Sequence, residues 1–342
     1  MQTIQNPITV ILLGLMLGAG QPESAISAEV AGTGGAGEMS MPENPTVLLT
    51  GLDDARSVRL STLGNLFIAE SGRHRILKVT KEGERMDSLG RLGRGDYQFD
   101  NPVAIDPSNE LKVYVADRNN RRVQVFDRRM QYLSTIHLPR RTGTEISYRP
   151  SLLTVDRVGR VFFFDEERHL VYRYDSSGRY DLSFELFSRE ERIMPVSMDI
   201  YDEELWVADR RGELLHRFSS GGSYLGFVYA PEPVISVRKI QEQTWILGES
   251  RVQQIDNAGR ILQGTTLPES TVAGGWHSFD IDSEYAFLLD GSRLLRLELE
   301  EPESGMDPES DMEPESGMES QSGMEPDEEE QGSRHQFDDQ EP

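Results

Sequence analysis

Residues 92–126, LGRGDYQFDNPVAIDPSNELKVYVADRNNRRVQVF, contain three short apolar runs separated by turn-forming segments. The runs lie at residues 102–105, 113–116 and 123–126, and each has the length and the β-branched and aromatic content of a strand. Asp, Pro, Ser and Asn between the runs favour tight turns. We therefore predict an up-and-down antiparallel meander over this stretch.

The same pattern recurs along the chain, and every copy can be aligned on an acidic residue that ends its second strand. These acidic anchors are Glu70, Asp117, Asp165, Asp209, Glu249 and Asp290, which are spaced 47, 48, 44, 40 and 41 residues apart. A period of about 40–50 residues of strand-like sequence is typical of a propeller blade. We predict an all-β fold, a six-bladed β-propeller of four-stranded antiparallel blades.

The sixth repeat ends at Leu299 after three strands, so it lacks an outer strand. Residues 45–49, PTVLL, form a separate strand-like segment before the first repeat. We predict that this segment pairs with blade six and closes the ring, because that pairing removes the open edges of a linear array.

In the second repeat, GRGDYQFDNP at residues 93–102 is followed by AID at 104–106, VYVAD at 113–117 and NRRVQVF at 120–126. This succession closely resembles an NHL repeat. The first repeat is similar, repeats three and four match in part, and repeats five and six match only in spacing and hydrophobicity. The resemblance implies a six-bladed propeller over about residues 45–299. Since propellers host unrelated functions, it implies a fold more than an activity.

The charge of the chain is unevenly distributed. Its 342 residues include 59 acidic residues, 35 Lys and Arg, and no Cys. Residues 301–342 hold 16 of the acids and one base, whereas residues 44–300 carry a net charge of −5. We therefore expect no nucleic-acid partner, because that binding depends on neutralising phosphates. Without Cys there are no disulfides and no thiolate metal sites.

Both ends of the chain differ from the repeats. Residues 8–19, ITVILLGLMLGA, predict a signal peptide within residues 1–28, although no Lys or Arg precedes them. Export to the periplasm or outside the cell follows, with a membrane anchor if the segment stays uncleaved. Residues 29–43 are a Gly-rich linker. Residues 301–342 begin with acidic hexapeptides such as EPESGM, which predict a disordered tail that solubilises the chain or weakly binds cations or a partner.

The sequence offers little catalytic chemistry. It has no G-x-S-x-G, H-E-x-x-H, P-loop or Rossmann fingerprint. The inner strands end on Asp106, Asp156, Asp199 and Asp280, but acids at strand ends are more often turn formers than metal ligands. The six His residues are His74, His137, His169, His216, His277 and His335. We expect no catalytic residue, no bound metal and no cofactor.

An arginine lies one to three residues after each acidic anchor, and these turns are expected on one face of the propeller. Either the acid–arginine pairs lock neighbouring turns, or the guanidinium groups bind carboxylate or phosphate groups of a partner. The candidate partner-binding residues are Arg73, His74, Arg118, Asn120, Arg121, Arg168, Arg210, Arg251 and Arg293.

These features favour an exported, monomeric binding or scaffold module that recognises a protein, peptide or glycan through one face or the central channel. The resemblance leaves an alternative open, since some similar propellers are metal-dependent lyases, lactonases or esterases with a metal on the axis. That alternative is a metal-dependent hydrolase or lyase, lactonase-like or amidating-lyase-like. Some NHL propellers bind RNA, which the export signal and the net charge of the repeats argue against.

Overall fold

The computed structural model describes residues 45–107, 111–137, 148–188, 191–268, 270 and 275–299. The predicted signal segment, linker and acidic tail lie outside these residues. The chain divides into two units, Met1–Glu300 and Glu301–Pro342. Within the described ranges, no helix is long and apolar enough to cross a membrane.

Six four-stranded antiparallel sheets make up the described part of the chain, which confirms the predicted fold class. Blades one to three contain β2 (Ala55–Leu60), β3 (Leu66–Glu70), β4 (Arg75–Val79), β5 (Arg85–Leu89), β6 (Pro102–Asp106), β7 (Lys112–Asp117), β8 (Arg122–Asp127), β9 (Tyr132–Ile136), β10 (Pro150–Val155), β11 (Val161–Asp165), β12 (Leu170–Tyr174) and β13 (Tyr180–Glu185). Blades four to six contain β14 (Pro195–Tyr201), β15 (Glu204–Asp209), β16 (Leu214–Ser219), β17 (Tyr224–Tyr229), β18 (Ser236–Ile240), β19 (Gln243–Leu247), β20 (Arg251–Ile255), β21 (Ile261–Thr266), β22 (Ser278–Ile281), β23 (Tyr285–Leu289) and β24 (Leu294–Glu298), completed by β1 (Thr46–Leu49).

The predicted closure of the ring is confirmed, because β1 pairs with β24 and completes blade six. Thr46 lies opposite Arg296 and Leu49 lies opposite Leu294, in an antiparallel arrangement with one register shift. The N-terminal strand thus covers an edge that the C-terminal strand would otherwise expose.

The core lies between neighbouring blades rather than within one sheet. Second strands such as β3 (LFIAE) and β11 (VFFFD) are buried at every position, because a blade packs on each of their faces. Outer strands are more polar, as in β5 (RMDSL), which is exposed at four of five positions. One core cluster joins Tyr114 of blade two to Phe163 of blade three, and another joins Ile68 of blade one to Phe287 of blade six.

Serines on the inner strands join each of three blades to the next. The Ser57 hydroxyl accepts a hydrogen bond from the Ile105 N–H (3.4 Å), Ser197 from the Val237 N–H (3.1 Å) and Ser278 from the Val58 N–H (3.2 Å). The last of these links blade six to blade one. These bonds satisfy buried backbone N–H groups that have no partner within a sheet.

Candidate functional site

The turns between second and third strands share one face with the loops that connect successive blades. Contacts define this upper face: the Ser71 hydroxyl in the first such turn donates to the Pro102 carbonyl at the start of blade two (2.6 Å). In the same region the Asn101 N–H donates to His74 Nδ1 (3.2 Å). The candidate residues predicted from the sequence lie on or beside these turns.

Five of the six acidic anchors are buried, and four of these bond to the loop that precedes their own blade. Each accepts a hydrogen bond from a backbone N–H there, namely Glu70 from Asp53 (2.9 Å), Asp117 from Asp100 (2.7 Å), Asp165 from Arg149 (2.9 Å) and Asp209 from Met194 (3.3 Å). Such carboxylates fix the backbone, because they satisfy N–H groups that lie outside any sheet.

Arginines pair with the anchors, but for Asp117 and Asp209 the partner is not the arginine nearest in sequence. Asp117 is paired with Arg122 (Nε to Oδ2, 2.9 Å), whose guanidinium also donates to three carbonyls of the preceding loop. Asp290 is paired with Arg293 (Nη2 to Oδ2, 2.7 Å), and Asp209 lies 3.5 Å from Arg211 rather than beside Arg210. Acid–arginine pairs are therefore present in these turns, and Arg122 of one such pair also holds the loop that precedes its blade.

Six of the nine candidate residues hold neighbouring parts of the upper face. Their partners are Glu70 for Arg73, the Asn101 N–H for His74, Glu166 of the next blade for Arg118, Asp117 and the Gly93 carbonyl for Asn120, the Tyr172 hydroxyl for Arg168, and Asp290 for Arg293. The other three, Arg121, Arg210 and Arg251, have no side-chain hydrogen bond or ion pair to another described residue. Arg121 and Arg210 are exposed, and Arg251 is half-buried.

Blade five departs from the predicted pattern of anchors. Leu247 lies opposite Val252, which puts Gly248 at the position that Asp117 occupies in blade two, and Glu249 is exposed. Glu232, from the loop before the blade, fills the space, since a Cβ at Gly248 would lie 2.2 Å from its Cδ. Aligning the repeats on the acid after the second strand predicted Glu249 instead. Glu232 could not be found in that way, because it precedes the first strand of the blade.

A cleft of about 520 Å³ opens on the upper face between blades four, five and six. Its lining includes Asp209, Arg210, Val234, Glu249 and Trp276. The volume lies within the range of sites for small ligands and peptide side chains. Apolar walls with an exposed guanidinium and an exposed carboxylate suit a ligand that is partly apolar and carries charge.

The inner strands around the central axis hold a second group of polar and charged residues. At the equivalent position of the six inner strands stand Arg59, Asp106, Thr154, Asp199, Arg238 and Asp280, which we call the axial ring. Each lies opposite an aromatic residue of its second strand: Phe67, Tyr114, Phe162, Trp206, Trp245 and Phe287, in the same order. All six ring residues are buried.

Burial and charge set the protonation of the ring. Burial raises the pKa of Asp199 to about 7, against the opposing effect of Arg59, and raises the pKa of Asp280 to about 6. Burial would lower the pKa of Arg59, but Asp199, Asp106 and Asp280 together raise it. With three carboxyl groups and two guanidinium groups, one buried negative charge lacks a cation, which favours uptake of a proton.

We expect the contribution of the ring to stability to fall as the pH rises. The folded-state pKa values of Asp199 and Asp280 lie above the value of about 3.9 for an unfolded Asp. Their stabilising contribution is therefore complete below about pH 4 and is lost as the pH rises through about 6 to 7. This loss can be measured from the urea unfolding midpoints of the wild type and of Asp199→Asn between about pH 5 and pH 8. We expect the midpoint of the variant to depend less on pH.

The titration of His216 changes stability with pH in the opposite direction, because burial lowers its pKa. His216 is present in both the wild type and the Asp199→Asn variant. The difference between the two pH profiles therefore isolates the ring. Parallel profiles would contradict the assignment.

The residues on the axis do not fit a metal ion. Among the described residues, no three His, Asp or Glu side chains are grouped so that they could hold one. Arg238 lies between Asp199 and Asp280, and Asp156 instead pairs with Arg160 of its own turn. His277 lies apart from this group, with Nδ1 2.9 Å from the Ala55 carbonyl oxygen.

Solved structures share the fold at low sequence identity. A gluconolactonase from Xanthomonas campestris aligns with a TM-score of 0.55 and 16% identity, covering 74% of this chain and 89% of that one. Virginiamycin B lyase from Staphylococcus aureus aligns with a TM-score of 0.51 and 16% identity, covering 72% and 80%. U3-55K aligns with a TM-score of 0.53 and 12% identity, covering 75% and 100%.

No protein-family model matches the sequence, so the NHL assignment stays a prediction. No curated protein matches it either. At such low identities the similar structures show the fold alone. The chain is a six-bladed β-propeller.

Proposed function

We propose that this propeller, of NHL-like type, is an exported binding module whose upper face recognises a protein or peptide that carries carboxylate groups. The observation that carries the proposal is Arg210, which is exposed at the cleft and has no side-chain partner among the described residues. Most arginines on neighbouring turns are already paired. An unpaired guanidinium fork beside an apolar cleft is well suited to bind a carboxylate in two-pronged fashion.

The cleft supports a peptide over a glycan. On its described walls, exposed Pro233 and half-buried Ile235 offer apolar contact area, whereas Val234 and Trp276 line the cleft but are almost wholly buried. Interfaces gain most of their affinity from a few such anchors around a central polar contact. Exposed Glu249 on the same cleft favours a segment that also presents a basic or N–H group.

The enzymatic alternative, a metal-dependent hydrolase or lyase, receives less support. The similar lactonase and lyase structures make it compatible with the fold. However, the carboxylates of the axial ring face guanidinium groups, which leaves no grouped ligands for a metal among the described residues.

Selection of binders from a random peptide library on the full-length protein tests the proposal. We expect the binders to be enriched in Asp, Glu or a free C-terminal carboxylate next to apolar residues. Arg210→Ala should weaken their binding about tenfold or more, which corresponds to loss of a charged hydrogen-bonded contact. Its thermal midpoint should stay within about 1 °C of the wild type, because an exposed side chain without partners contributes little.

Arg179→Ala is the matched control, since Arg179 is 82% exposed and lies in a turn on the opposite face. It should leave binding unchanged. Peptides that bind equally well to the Arg210→Ala variant would overturn the proposed site. Selective binding of oligosaccharides on a glycan array would show that the ligand is a glycan and not a peptide.

A further inference from the structure

Arg238 of the axial ring bridges carboxylates from the two blades on either side of its own. Its Nη1 lies 2.8 Å from Asp199 Oδ1, and its Nε lies 2.8 Å from Asp280 Oδ1. A further contact joins Nη2 to Asp280 Oδ2 at 3.2 Å. The planar guanidinium fork can meet two acceptors at once, which an ammonium group cannot do with fixed geometry.

Arg59 is a second buried guanidinium facing the same carboxylates. It is 8% exposed, and its Nη2 lies 3.7 Å from Asp199 Oδ1. Its Nη1 is buried and has no hydrogen-bond partner among the described residues. The surrounding negative charge therefore stabilises the buried Arg59 cation, although one of its possible hydrogen bonds is not made.

Backbone N–H groups also position the carboxylates, independently of the arginines. Asp199 accepts from the Lys239 N–H (2.7 Å), Asp280 from the Leu60 N–H (2.6 Å) and Asp106 from the Val155 N–H (3.0 Å). The donor belongs to the following blade in all three cases. The carboxyl groups are therefore expected to keep their positions when a guanidinium group is removed.

We propose that the axial ring is a guanidinium-binding site, formed by Asp199, Asp280 and Asp106, which the chain fills with its own Arg238 and Arg59. The class of ligand is a planar cation with several N–H donors. Metal ions do not suit the site, because the described acidic groups are not clustered closely enough to hold one.

Removal of Arg238 tests the site in the full-length protein. We expect Arg238→Ala to lower the thermal midpoint by about 10 °C, because it leaves buried carboxylates unpaired. Guanidinium chloride at about 20 mM, where its denaturing effect is small, should restore several degrees through binding to the folded state. Potassium and magnesium chloride at matched ionic strength should not restore it.

Arg293→Ala is the matched control. Arg293 is also largely buried, but it pairs with the single carboxylate of Asp290. We expect that variant to lose stability without recovery in guanidinium. Equal recovery of Arg238→Ala in potassium chloride, or no recovery at all, would overturn the proposal.

A double variant keeps the test decisive if Arg238→Ala does not fold. Arg238→Ala with Asp280→Asn removes one carboxylate together with its cation, so it should be more stable than the single variant in the absence of guanidinium. A double variant that is no more stable than the single one would show that Arg238 does not stabilise the fold by pairing with these carboxylates.

Discussion

A chain that begins at residue 51 should lose on the order of 5 kcal/mol or more in its free energy of unfolding. The deletion removes β1, which completes blade six beside β24. Leu49 is buried in a cluster with Phe287, Leu289 and Leu294, so its loss opens that core to water. Urea unfolding followed by intrinsic fluorescence measures the change.

The deletion should also promote association, because β24 then presents unpaired backbone groups at an open edge. Size-exclusion chromatography at increasing concentration detects this. A chain that begins at residue 45 keeps β1 and is the matched control, with an unfolding midpoint close to that of the full chain. Equal midpoints for the two truncations would show that β1 adds nothing to the ring.

Replacing Asp117 by Ala should cost about 3–5 kcal/mol. The Asp117 carboxylate is fully buried and accepts from the Asp100 N–H (2.7 Å), Asn120 Nδ2 (2.8 Å) and Arg122 Nε (2.9 Å). Arg122 is only 8% exposed and would be left as an unpaired buried cation. The free energy of unfolding in urea gives the cost.

Asp256→Ala separates this effect from the general cost of losing a turn-capping Asp. Asp256 accepts two backbone N–H bonds, from Ala258 and Arg260, and pairs with Arg260, but Arg260 is 81% exposed. We expect that change to cost much less than Asp117→Ala, because its partners stay in contact with water. The double variant Asp117→Ala with Arg122→Met should recover part of the loss. If Asp117→Ala costs no more than Asp256→Ala, the anchors do not act as buried ion pairs.

The contacts of the acidic anchors narrow the search for a partner-binding surface. Six of the nine arginine, asparagine and histidine candidates hold loops or turns together, so substituting them changes folding as well as any binding. Arg121, Arg210 and Arg251 can be changed with less structural consequence. Of these, Arg210 lines the cleft between blades four, five and six, which makes it the most informative position for binding experiments.

Much of the fold could be predicted because its determinants are local. Apolar runs such as LFIA, VYVA and VFFF recur with a regular spacing, and each must bury both faces against neighbours. The missing outer strand of the sixth repeat and the unmatched strand at residues 45–49 predicted the closure of the ring. These inferences need only spacing and hydrophobicity along the chain.

The axial ring could not be predicted in this way. Arg59, Thr154 and Arg238 lie on separate inner strands and have the polar character expected of solvent-facing strand positions. Asp199 and Asp280 were recognised as acids of the inner strands, but their cation partners come from other blades, such as Arg238 for both. No local pattern relates residues that far apart in sequence.

The sequence by itself determined the number of blades, their strand order and the strand that closes them, because these follow from periodic burial. Only the tertiary structure decided which charges meet. It brought Arg238 between two aspartates, put Glu232 in the place of a missing anchor at Gly248, and left Arg210 unpaired at a cleft. The physical reason is that charges pair through distances set by the closed ring, whereas apolar runs are specified one strand at a time.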